Sequence, residues 1–388
     1  MKTVFAAQGN IISSLGFTAE ENFSAMEQGS SGIKKHNNTK FLPFPFYASL
    51  VDSEKLNKNF SALSENENYT RLEKMFILSI ADVLAKSALD VKSENTLLII
   101  STAKGNINLL EEANYGGFPE KRLLLAEMAN QITGFFGMKN TPLVVSNACI
   151  SGVLGIITAQ RLIGSGQYEN VIVTGGDLVS EFTLSGFNSF KALSDEPCKP
   201  YDIKRKSITL GEGCETVLLT SNEKLLNKSE KKIRVAGGSV SNDANHISGP
   251  SRTGEELALA VNTAITEACC GKQIDFISAH GTATDFNDEM EAKAFSVAGL
   301  EHIQLNSMKG FFGHTLGAAG VIESIVTVET MKRNVLLPSL GFENSGVSMP
   351  LNITRKSESK QINTALKTAS GFGGCNACLL YTSDAADE

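Results

Sequence analysis

Cys149 lies in a segment whose composition suits nucleophilic chemistry. Residues 144–155 read VVSNACISGVLG, a β-branched run, a turn of small residues and then a helical pattern that continues to about Leu162, with Gly164 and Gly166 to end it. At a helix start, the macrodipole and free N–H groups favour a thiolate and lower the pKa of a thiol. The same N–H groups can hold a developing oxyanion. The segment therefore predicts a nucleophile, and the alternative is a small buried packing residue.

Two further segments each contain a histidine among turn-forming residues. Residues 278–288, SAHGTATDFND, place His280 just past the end of an apolar strand. Residues 306–320, NSMKGFFGHTLGAAG, contain Lys309 and His314 among glycines that permit close backbone approach. A hydrogen-bonded structural histidine and a solvated lysine are the alternatives. Neither segment has an HxxxH spacing or a nearby cysteine, so we expect no metal site.

The elements that must position these residues form a layered α/β pattern. Short apolar runs, typical of strands covered on both faces, alternate with longer helical patterns. The Thr70 and Thr253 segments each begin with a capping-box pattern. The predicted strands are 96–101, 143–146, 171–174, 216–220 and 274–278.

A polar connector, residues 221–232, separates two parts of the chain that resemble each other. Each part contains a strand followed by a small-residue turn, LIISTAK at 98–104 and FISAHGT at 276–282. We interpret this similarity as a faint internal duplication.

The composition is that of a globular protein and excludes several classes. The chain has 388 residues, of which 42% are hydrophobic and 20% charged. No run approaches the roughly 18 apolar residues of a membrane span, and the N-terminus becomes polar too early for a signal peptide, so we expect a cytoplasmic protein. The net charge of −7 argues against nucleic acid as a partner. No CxxC pair is repeated, so we expect no disulfide framework. The seven cysteines are Cys149, Cys198, Cys214, Cys269, Cys270, Cys375 and Cys378.

The last residues require separate treatment. The segment 378–388, CLLYTSDAADE, looks like the in-frame translation of a sequencing adapter. We therefore expect the natural protein to continue differently after Ala377 and exclude this tail from functional reasoning. The alternative is a genuine C-terminal strand and tail.

Taken together, the three segments resemble the Cys, His and Lys–His motifs of the β-ketoacyl-acyl-carrier-protein synthases, in that family's order. The resemblance extends from Val4 to Ala377 and is greatest to the elongating synthases similar to synthase II, including those of polyketide and aryl-polyene pathways. It implies a thiolase-like fold, in which two pseudo-symmetric α/β halves, residues 1–220 and 233–377, stack as five αβαβα layers. Such proteins are usually homodimers.

The resemblance also implies roles for the site residues. Cys149 takes the acyl group from a carrier-protein thioester, His280 and His314 assist decarboxylation of a malonyl unit, and Lys309 supports the surrounding charge network. Two neutral imidazoles that donate hydrogen bonds would stabilise the resulting enolate. The implied reaction requires no cofactor beyond the phosphopantetheine arm of the carrier protein.

Further assignments follow from the same family. The segment 371–376, GFGGCN, resembles the gating loop, in which the Phe372 N–H completes an oxyanion hole with that of Cys149 and the Phe372 ring gates the acyl pocket; a core aromatic is the alternative. Thr282 and Thr284 are placed to bind the phosphopantetheine arm, or are turn-forming hydroxyls. Glu323 matches an acidic position beside Lys309, with a solvated helix residue as the alternative, and we assign it no catalytic role.

The segment 199–206, KPYDIKRK, corresponds to a family segment that usually begins Arg-Pro. Its cations, with two at the start of the Thr70 helix, suggest a dock for an acidic carrier protein, and a solvated charge run is the alternative. They are Arg71, Lys74, Lys199, Lys204, Arg205 and Lys206. Lys104 departs from the small or apolar residue that is frequent near the acyl pocket, which puts saturated long-chain substrates in doubt.

Two other hypotheses stay open at this point. A chain-length-factor-like subunit shares the fold and pairs with an active synthase, but such subunits usually lack the nucleophile. The second hypothesis is a thiolase or an initiating synthase, which shares the fold. It is raised by Cys375, because thiolases carry a second active cysteine in a similar glycine-rich loop. Homodimer and heterodimer, chain length and pathway are not distinguished by the sequence.

Overall fold

The computed structural model describes residues 1–269 and 273–383, which form alternating helices and strands. The helices are α1 (Ala19–Glu27), α2 (Ser53–Leu63), α3 (Arg71–Ala85), α4 (Leu125–Phe136), α5 (Ser151–Gly164), α6 (Glu181–Ser189), α7 (Glu255–Cys269), α8 (Asp285–Val297), α9 (Lys309–Phe312) and α10 (Ala319–Arg333). Short 3-10 segments lie at Ile107–Glu111, Ala113–Gly117, Glu120–Leu123, Glu223–Leu225 and Leu316–Ala318.

The strands include two sets with the same internal order. They are β1 (Phe5–Ile12), β2 (Ile33–His36), β3 (Phe46–Ser49), β4 (Thr96–Ser101), β5 (Leu143–Val145), β6 (Asn170–Asp177), β7 (Leu210–Gly211), β8 (Gly213–Thr220), β9 (Ile233–Asn242), β10 (Phe276–Ser278), β11 (Gln304–Asn306), β12 (Val335–Leu336), β13 (Asn352–Ile353), β14 (Glu358–Ser359), β15 (Thr364–Gly371) and β16 (Cys375–Ser383). The first set runs β1-β8-β6-β4-β5 and the second β9-β16-β15-β10-β11-β13. In each, two antiparallel pairs are followed by parallel ones.

This repetition accounts for the duplication predicted from the sequence. The two similar segments lie on β4 and β10, which occupy equivalent places in the two sets. The sets join where β1 pairs with β9, through Phe5 with Arg234 and Ala6 with Ile233. The predicted strand at 96–101 is confirmed with the same bounds, and the other four predicted strands are confirmed within a few residues.

The helices complete a five-layer arrangement. Helix α3 packs on β1, β6 and β8, with α4 beside it, while α7 packs on β9 and β16, with α8 beside it. Helices α5 and α10 contact each other and strands of both sets, so they form the central layer. The predicted αβαβα order is therefore confirmed. No helix among the described residues is both long enough and apolar enough to cross a membrane.

Two glycines let the central helices approach closely and so bring their first turns together. A Cβ at Gly152 of α5 would lie 2.6 Å from the Val321 backbone nitrogen, and one at Gly320 of α10 would lie 2.4 Å from that of Val153. Any side chain at either position would clash with backbone. This crossing sets the distance between the residues that precede α5 and those that precede α10.

One predicted capping box is confirmed and the other is wrong. Thr70 and Glu73 exchange side-chain and backbone hydrogen bonds at the start of α3, and Glu73 also forms a buried ion pair with Arg122. Helix α7 begins at Glu255, after Gly254, whose carbonyl accepts from the Ala258 N–H. Gly254 has a φ of +77°, which places the helix start one residue beyond the predicted Thr253 cap.

The C-terminal tail continues a strand as far as it is described. Residues 378–383 belong to β16 and lie buried between β15 and β9. Their proposed origin in an adapter stays a prediction. Cys270 lies outside the described residues.

Glu215 on β8 yields a prediction about stability and pH. Its side chain is fully buried, and neither carboxylate oxygen has a hydrogen-bond partner within the described part of the chain. Burial raises its pKa well above the ordinary value, and the charges of Asp177 and Glu323 add to the effect. The folded state therefore keeps a proton that the unfolded state loses above about pH 4.3. Above that pH, the free energy of unfolding falls by about 1.4 kcal/mol per pH unit until Glu215 ionises.

A Glu215→Gln variant should lose this pH dependence. We expect its advantage in unfolding free energy over the parent to grow between pH 5 and pH 8, as measured by urea unfolding. Glu65→Gln, a change at an exposed position, serves as the matched control. Parallel stability profiles for Glu215→Gln and the parent would show that Glu215 is ionised in the folded protein.

Candidate active site

The turn between β5 and α5 places Cys149 at the start of a helix, as predicted. Ala148 has a φ of 44°, unusual for a residue with a side chain, so the turn is strained. The Ser151 hydroxyl stabilises this turn, because it accepts from the Asn147 N–H at 2.8 Å and donates to the Ala148 carbonyl at 2.7 Å. Helix α5 begins two residues after Cys149.

The expected low pKa of Cys149 is wrong. Burial raises the pKa of this thiol to about 11, and the charge of Asp177 adds to the rise. The Lys309 ammonium opposes this rise in pKa most strongly, followed by the Phe372 backbone N–H and by Lys104. The cost of burying a thiolate therefore outweighs the effect of the helix start. His314 Nε2 lies 3.0 Å from Cys149 Sγ, so a base stands beside a neutral thiol.

Acidic residues of α8 hold the loop that carries His280. The Glu291 carboxylate accepts from the backbone N–H of His280 at 2.9 Å and of Gly281 at 2.7 Å. The Asp288 carboxylate accepts from Thr282 N–H at 2.9 Å and from Ala283 N–H. Burial raises the pKa of Asp288 to about 7, while hydrogen bonds oppose the rise. The sequence analysis did not assign these acids, although their i, i+3 spacing after the histidine loop was a usable signal.

Two backbone hydrogen bonds hold His314 in place. His314 N–H donates to the Thr209 carbonyl at 2.6 Å, and the His314 carbonyl accepts from the Gly211 N–H at 3.0 Å. The His280 and His314 rings meet edge to face, 5.2 Å between centroids. Burial, followed by the positive charge of Lys309, lowers the pKa of both imidazoles well below the usual value. Both rings are therefore neutral near pH 7, as the resemblance implied.

Lys309 determines which nitrogen of His280 carries the proton. Its ammonium lies 3.2 Å from His280 Nδ1, 2.6 Å from the His280 carbonyl oxygen and 2.6 Å from Glu323 Oε1. An ammonium can only donate, so Nδ1 accepts and the proton of the neutral ring lies on Nε2. The interpretation of Lys309 as a solvated charge is wrong, since its side chain is buried.

Glu323 is a buried member of this network beside Lys309, so the alternative of a solvated helix residue is wrong. It lies on the second turn of α10, is 2% exposed and joins two lysines. The second is Lys367 of β15, which the sequence analysis missed and which is fully buried. The available signal was a lysine in the otherwise apolar and small run TALKTA at 364–369.

The loop between β15 and β16 closes over Cys149. Phe372 is 38% exposed, and its ring packs against Phe187 and Phe190, with centroids 5.8 and 5.9 Å away. A Cβ at Gly371 would lie 3.1 Å from the Cys149 backbone nitrogen, so a glycine permits this approach. The backbone N–H of Phe372 faces the Cys149 thiol and opposes the rise in its pKa.

A cavity of about 450 Å³ leads to these groups. Cys149, His280 and His314 line it together with Phe372, and Thr282 and Thr284 lie on its wall. The two threonine hydroxyls are 2.9 Å apart, and Thr284 also caps α8. Lys104 does not line this cavity; its ammonium lies 5.5 Å from the centroid of the Phe182 ring.

The side chains of Cys149, His280 and His314 are better suited to stabilising an oxyanion than to binding a metal ion. The sulfur of Cys149 and one ring nitrogen from each histidine lie within 4.8 Å of one another, close enough to ligate a metal. However, the proton on His280 Nε2 leaves no lone pair there for a metal. A neutral ring with a fixed N–H is instead suited to donate a hydrogen bond to developing negative charge.

The six cations predicted to form a dock have acidic neighbours. Arg71 pairs with Glu212 at 2.8 Å, and the other five pair with exposed or half-buried carboxylates. Of the six, Lys206 lines the cavity, as does Lys191. Exposed pairs contribute little to stability, so Lys204 and Lys206 can exchange partners, whereas the Arg205 side chain is only 8% exposed and donates to backbone carbonyls.

The chain matches two family models that together span most of its length. Residues 13–224 match the beta-ketoacyl synthase N-terminal domain, and residues 233–343 match the beta-ketoacyl synthase C-terminal domain. The chain is 30% identical over 406 residues to 3-oxoacyl-[acyl-carrier-protein] synthase 2 of Vibrio cholerae, with 96% of both sequences covered. It is 31% identical over 330 residues to the synthase 2 of Rhizobium meliloti, which covers 78% of this chain and 77% of the relative.

Solved structures share the fold. The ketosynthase ApeO in complex with its chain length factor ApeC, from Xenorhabdus doucetiae, superposes with a TM-score of 0.85 at 23% identity, covering 98% of each chain. A beta-ketoacyl synthase from Burkholderia phymatum gives 0.85 at 22% identity, covering 99% of this chain and 100% of the other. The thiolase-like fold expected from the sequence is thus confirmed. On the family matches, the chain belongs to the β-ketoacyl synthases.

Proposed function

We propose that the protein is a 3-oxoacyl-[acyl-carrier-protein] synthase, which condenses an acyl group on Cys149 with a malonyl unit on acyl carrier protein. The observation that carries this proposal is the meeting of Cys149 Sγ, His280 and His314 at the base of one cavity. Lys309 lies behind them and fixes the His280 tautomer.

In the first half-reaction, His314 Nε2 removes the proton from the Cys149 thiol as the sulfur attacks the acyl thioester carbonyl. A carbon–sulfur bond forms, and the carbonyl electrons move to oxygen, which the backbone N–H groups of Cys149 and Phe372 stabilise. Collapse of this intermediate breaks the bond to the carrier's sulfur. The departing thiolate takes the proton from His314, which leaves acyl-Cys149 and a neutral imidazole.

In the second half-reaction, the bond between the malonyl carboxylate and its α-carbon breaks and CO₂ leaves. The electron pair enters the thioester as an enolate, whose oxygen accepts a hydrogen bond from His280 Nε2. His314 donates a second one after the single proton of its neutral ring has moved from Nδ1 to Nε2. The α-carbon then attacks the acyl-Cys149 carbonyl, and Cys149 leaves as a thiolate that takes one proton from solvent. The product is a 3-oxoacyl thioester two carbons longer.

The carrier protein supplies the phosphopantetheine arm, and no further cofactor enters these steps. We propose that Thr282 and Thr284 bind this arm, since both line the cavity. Lys206, with Lys191, is placed at the cavity to meet an acidic carrier protein, and the other proposed docking residues are Arg71, Lys74, Lys199, Lys204 and Arg205. We also propose a cytoplasmic location.

A dimer, with a second copy or with a related synthase, is proposed at the edge of the first strand set. Strand β5 ends the strand order there, and its first residue, Leu143, is 40% exposed. An unpaired apolar edge is a template for pairing with another chain.

Intact-mass spectrometry tests the proposed function. Incubation with acyl-carrier-protein thioesters should add one acyl group per chain, and subsequent malonyl carrier protein should remove it as a 3-oxoacyl product. Thioesters of different length and saturation, offered in competition, would identify the substrate. A chain that neither acylates nor releases CO₂, but co-purifies with a second synthase, would instead be a chain-length-factor-like subunit.

A further inference from the structure

Lys367 is a buried cation that the proposed reaction steps do not use. It lies on β15, five residues before the Phe372 gate, and none of its surface is exposed. Its ammonium lies 2.8 Å from Glu323 Oε2 and 3.3 Å from the Ser278 carbonyl oxygen, and it also contacts the Thr368 carbonyl oxygen. The two carbonyl oxygens accept hydrogen bonds from the ammonium, whereas its contact with Glu323 is an ion pair, since Oε2 accepts no hydrogen bond from the described residues.

The same carboxylate holds Lys309. Glu323 Oε1 pairs with Lys309, whose other two acceptors are Nδ1 and the carbonyl oxygen of His280. Each oxygen of Glu323 therefore has its own lysine, which prevents the carboxylate from rotating. The trio carries one net positive charge in a buried environment, where charges interact strongly.

We propose that Lys367 is a positioning residue for the condensation: by holding the second oxygen of Glu323, it fixes the carboxylate that places Lys309 against His280. Lys367 thus acts on His280 through two intermediates, without touching the substrate. Ser278, whose carbonyl Lys367 contacts, ends the strand that leads into the His280 loop, so the lysine also ties β15 to this loop.

Charge supports the same role. Lys309, then His314 and then Lys367 add to burial in lowering the pKa of His280. Without Lys367, the trio becomes a neutral Lys309–Glu323 pair, and His280 gains a proton more easily. The charged and titratable groups that face His280 from the elements around it are Cys149, Tyr201, Asp288, Glu291, Lys309, His314, Glu323 and Lys367.

The test uses Lys367→Met, which keeps the length of the side chain and removes its charge. Nitrogen-15 NMR of histidine-labelled protein reports the tautomer and titration of His280 directly, and the chain has only five histidines. We expect the His280 titration to move up by about one pH unit, with loss of the single Nε2-protonated tautomer. Lys356→Met, at an exposed position, is the matched control.

The kinetic readout rests on the proposed function. Decarboxylation of malonyl carrier protein should fall about tenfold at neutral pH and further at acid pH, while acylation of Cys149 persists. In Lys367→Ala, methylammonium should restore part of the rate, and tetramethylammonium, which has no N–H, should not.

The two proposals fail separately. If the parent protein does not decarboxylate malonyl carrier protein but the His280 titration shifts in Lys367→Met, the proposed function fails, while the part of the inference in which Lys367 places Lys309 against His280 stands. A folded Lys367→Met with the parent's His280 tautomer and titration overturns the inference. Should Lys367→Met not fold, Lys367→Ala, which has no donor toward Glu323, is measured in the same way without added amine, and an unchanged His280 overturns the inference equally.

Discussion

A Cys149→Ala variant should take up no acyl group from acyl carrier protein, and condensation should fall by at least about three orders of magnitude. The sulfur is the atom to which the acyl group is bonded, and it lies against His314 in the cavity. No neighbouring side chain can replace it in that position. Intact mass measures the acylation, and the yield of 3-oxoacyl product measures the condensation.

Release of CO₂ from malonyl carrier protein should survive the same substitution. The groups that stabilise the enolate, His280 and His314, remain, and Lys309 still fixes the His280 tautomer. The matched control is Cys375→Ser, because Cys375 is half-buried in the gating loop and accepts from Asn242 Nδ2 at 3.2 Å. Acylation of Cys149→Ala at the parent's stoichiometry would refute the assignment. Loss of acylation in Cys375→Ser would instead point to a thiolase-like second cysteine.

The sequence pointed to Cys149 and His280 because each follows a predicted strand, and to Lys309 and His314 because they lie in a glycine-rich segment. Cys149 comes after β5, His280 after β10, and Lys309 after β11, each within a few residues of the strand end. The duplicated strand order brings these ends to the same central layer, where α5 and α10 cross. Glycine-rich turns mark where the backbone must bend or approach another segment. Such local features can be predicted without tertiary contacts.

The electrostatics could not be predicted in the same way. The helix start at Cys149 is visible in the sequence, but the burial that raises its pKa to about 11 depends on the gating loop, which is distant in the chain. In the sequence, Glu323 lies in a helical pattern, where an acidic side chain is usually exposed to solvent. In the structure it is buried, because α10 lies between the two strand sets. Its partner Lys367 belongs to a strand that follows much later. Pairings of this kind require the fold.

Replacement of each histidine by alanine should have a different effect on the two half-reactions. His280 contacts Lys309 and faces the cavity, so His280→Ala should reduce malonyl decarboxylation by about 10²- to 10⁴-fold while Cys149 still acylates. His314 lies 3.0 Å from Cys149 Sγ, so His314→Ala should slow both acylation and decarboxylation. His302→Ala, at an exposed histidine, is the control.

The pH dependence of decarboxylation provides an independent check on the same pair. Burial lowers the pKa of both imidazoles well below 6.5, so each stays neutral as the pH falls from 8 to 6. A neutral His280 ring keeps the Nε2 proton that it donates to the enolate, and protonation of either ring would have to overcome the Lys309 charge nearby. The decarboxylation rate of the parent should therefore be nearly constant between pH 6 and pH 8 and should decline only at more acid pH. A midpoint close to pH 6.5 would show that the histidines titrate as if exposed, contrary to the buried network of Lys309, Glu323 and Lys367 described above.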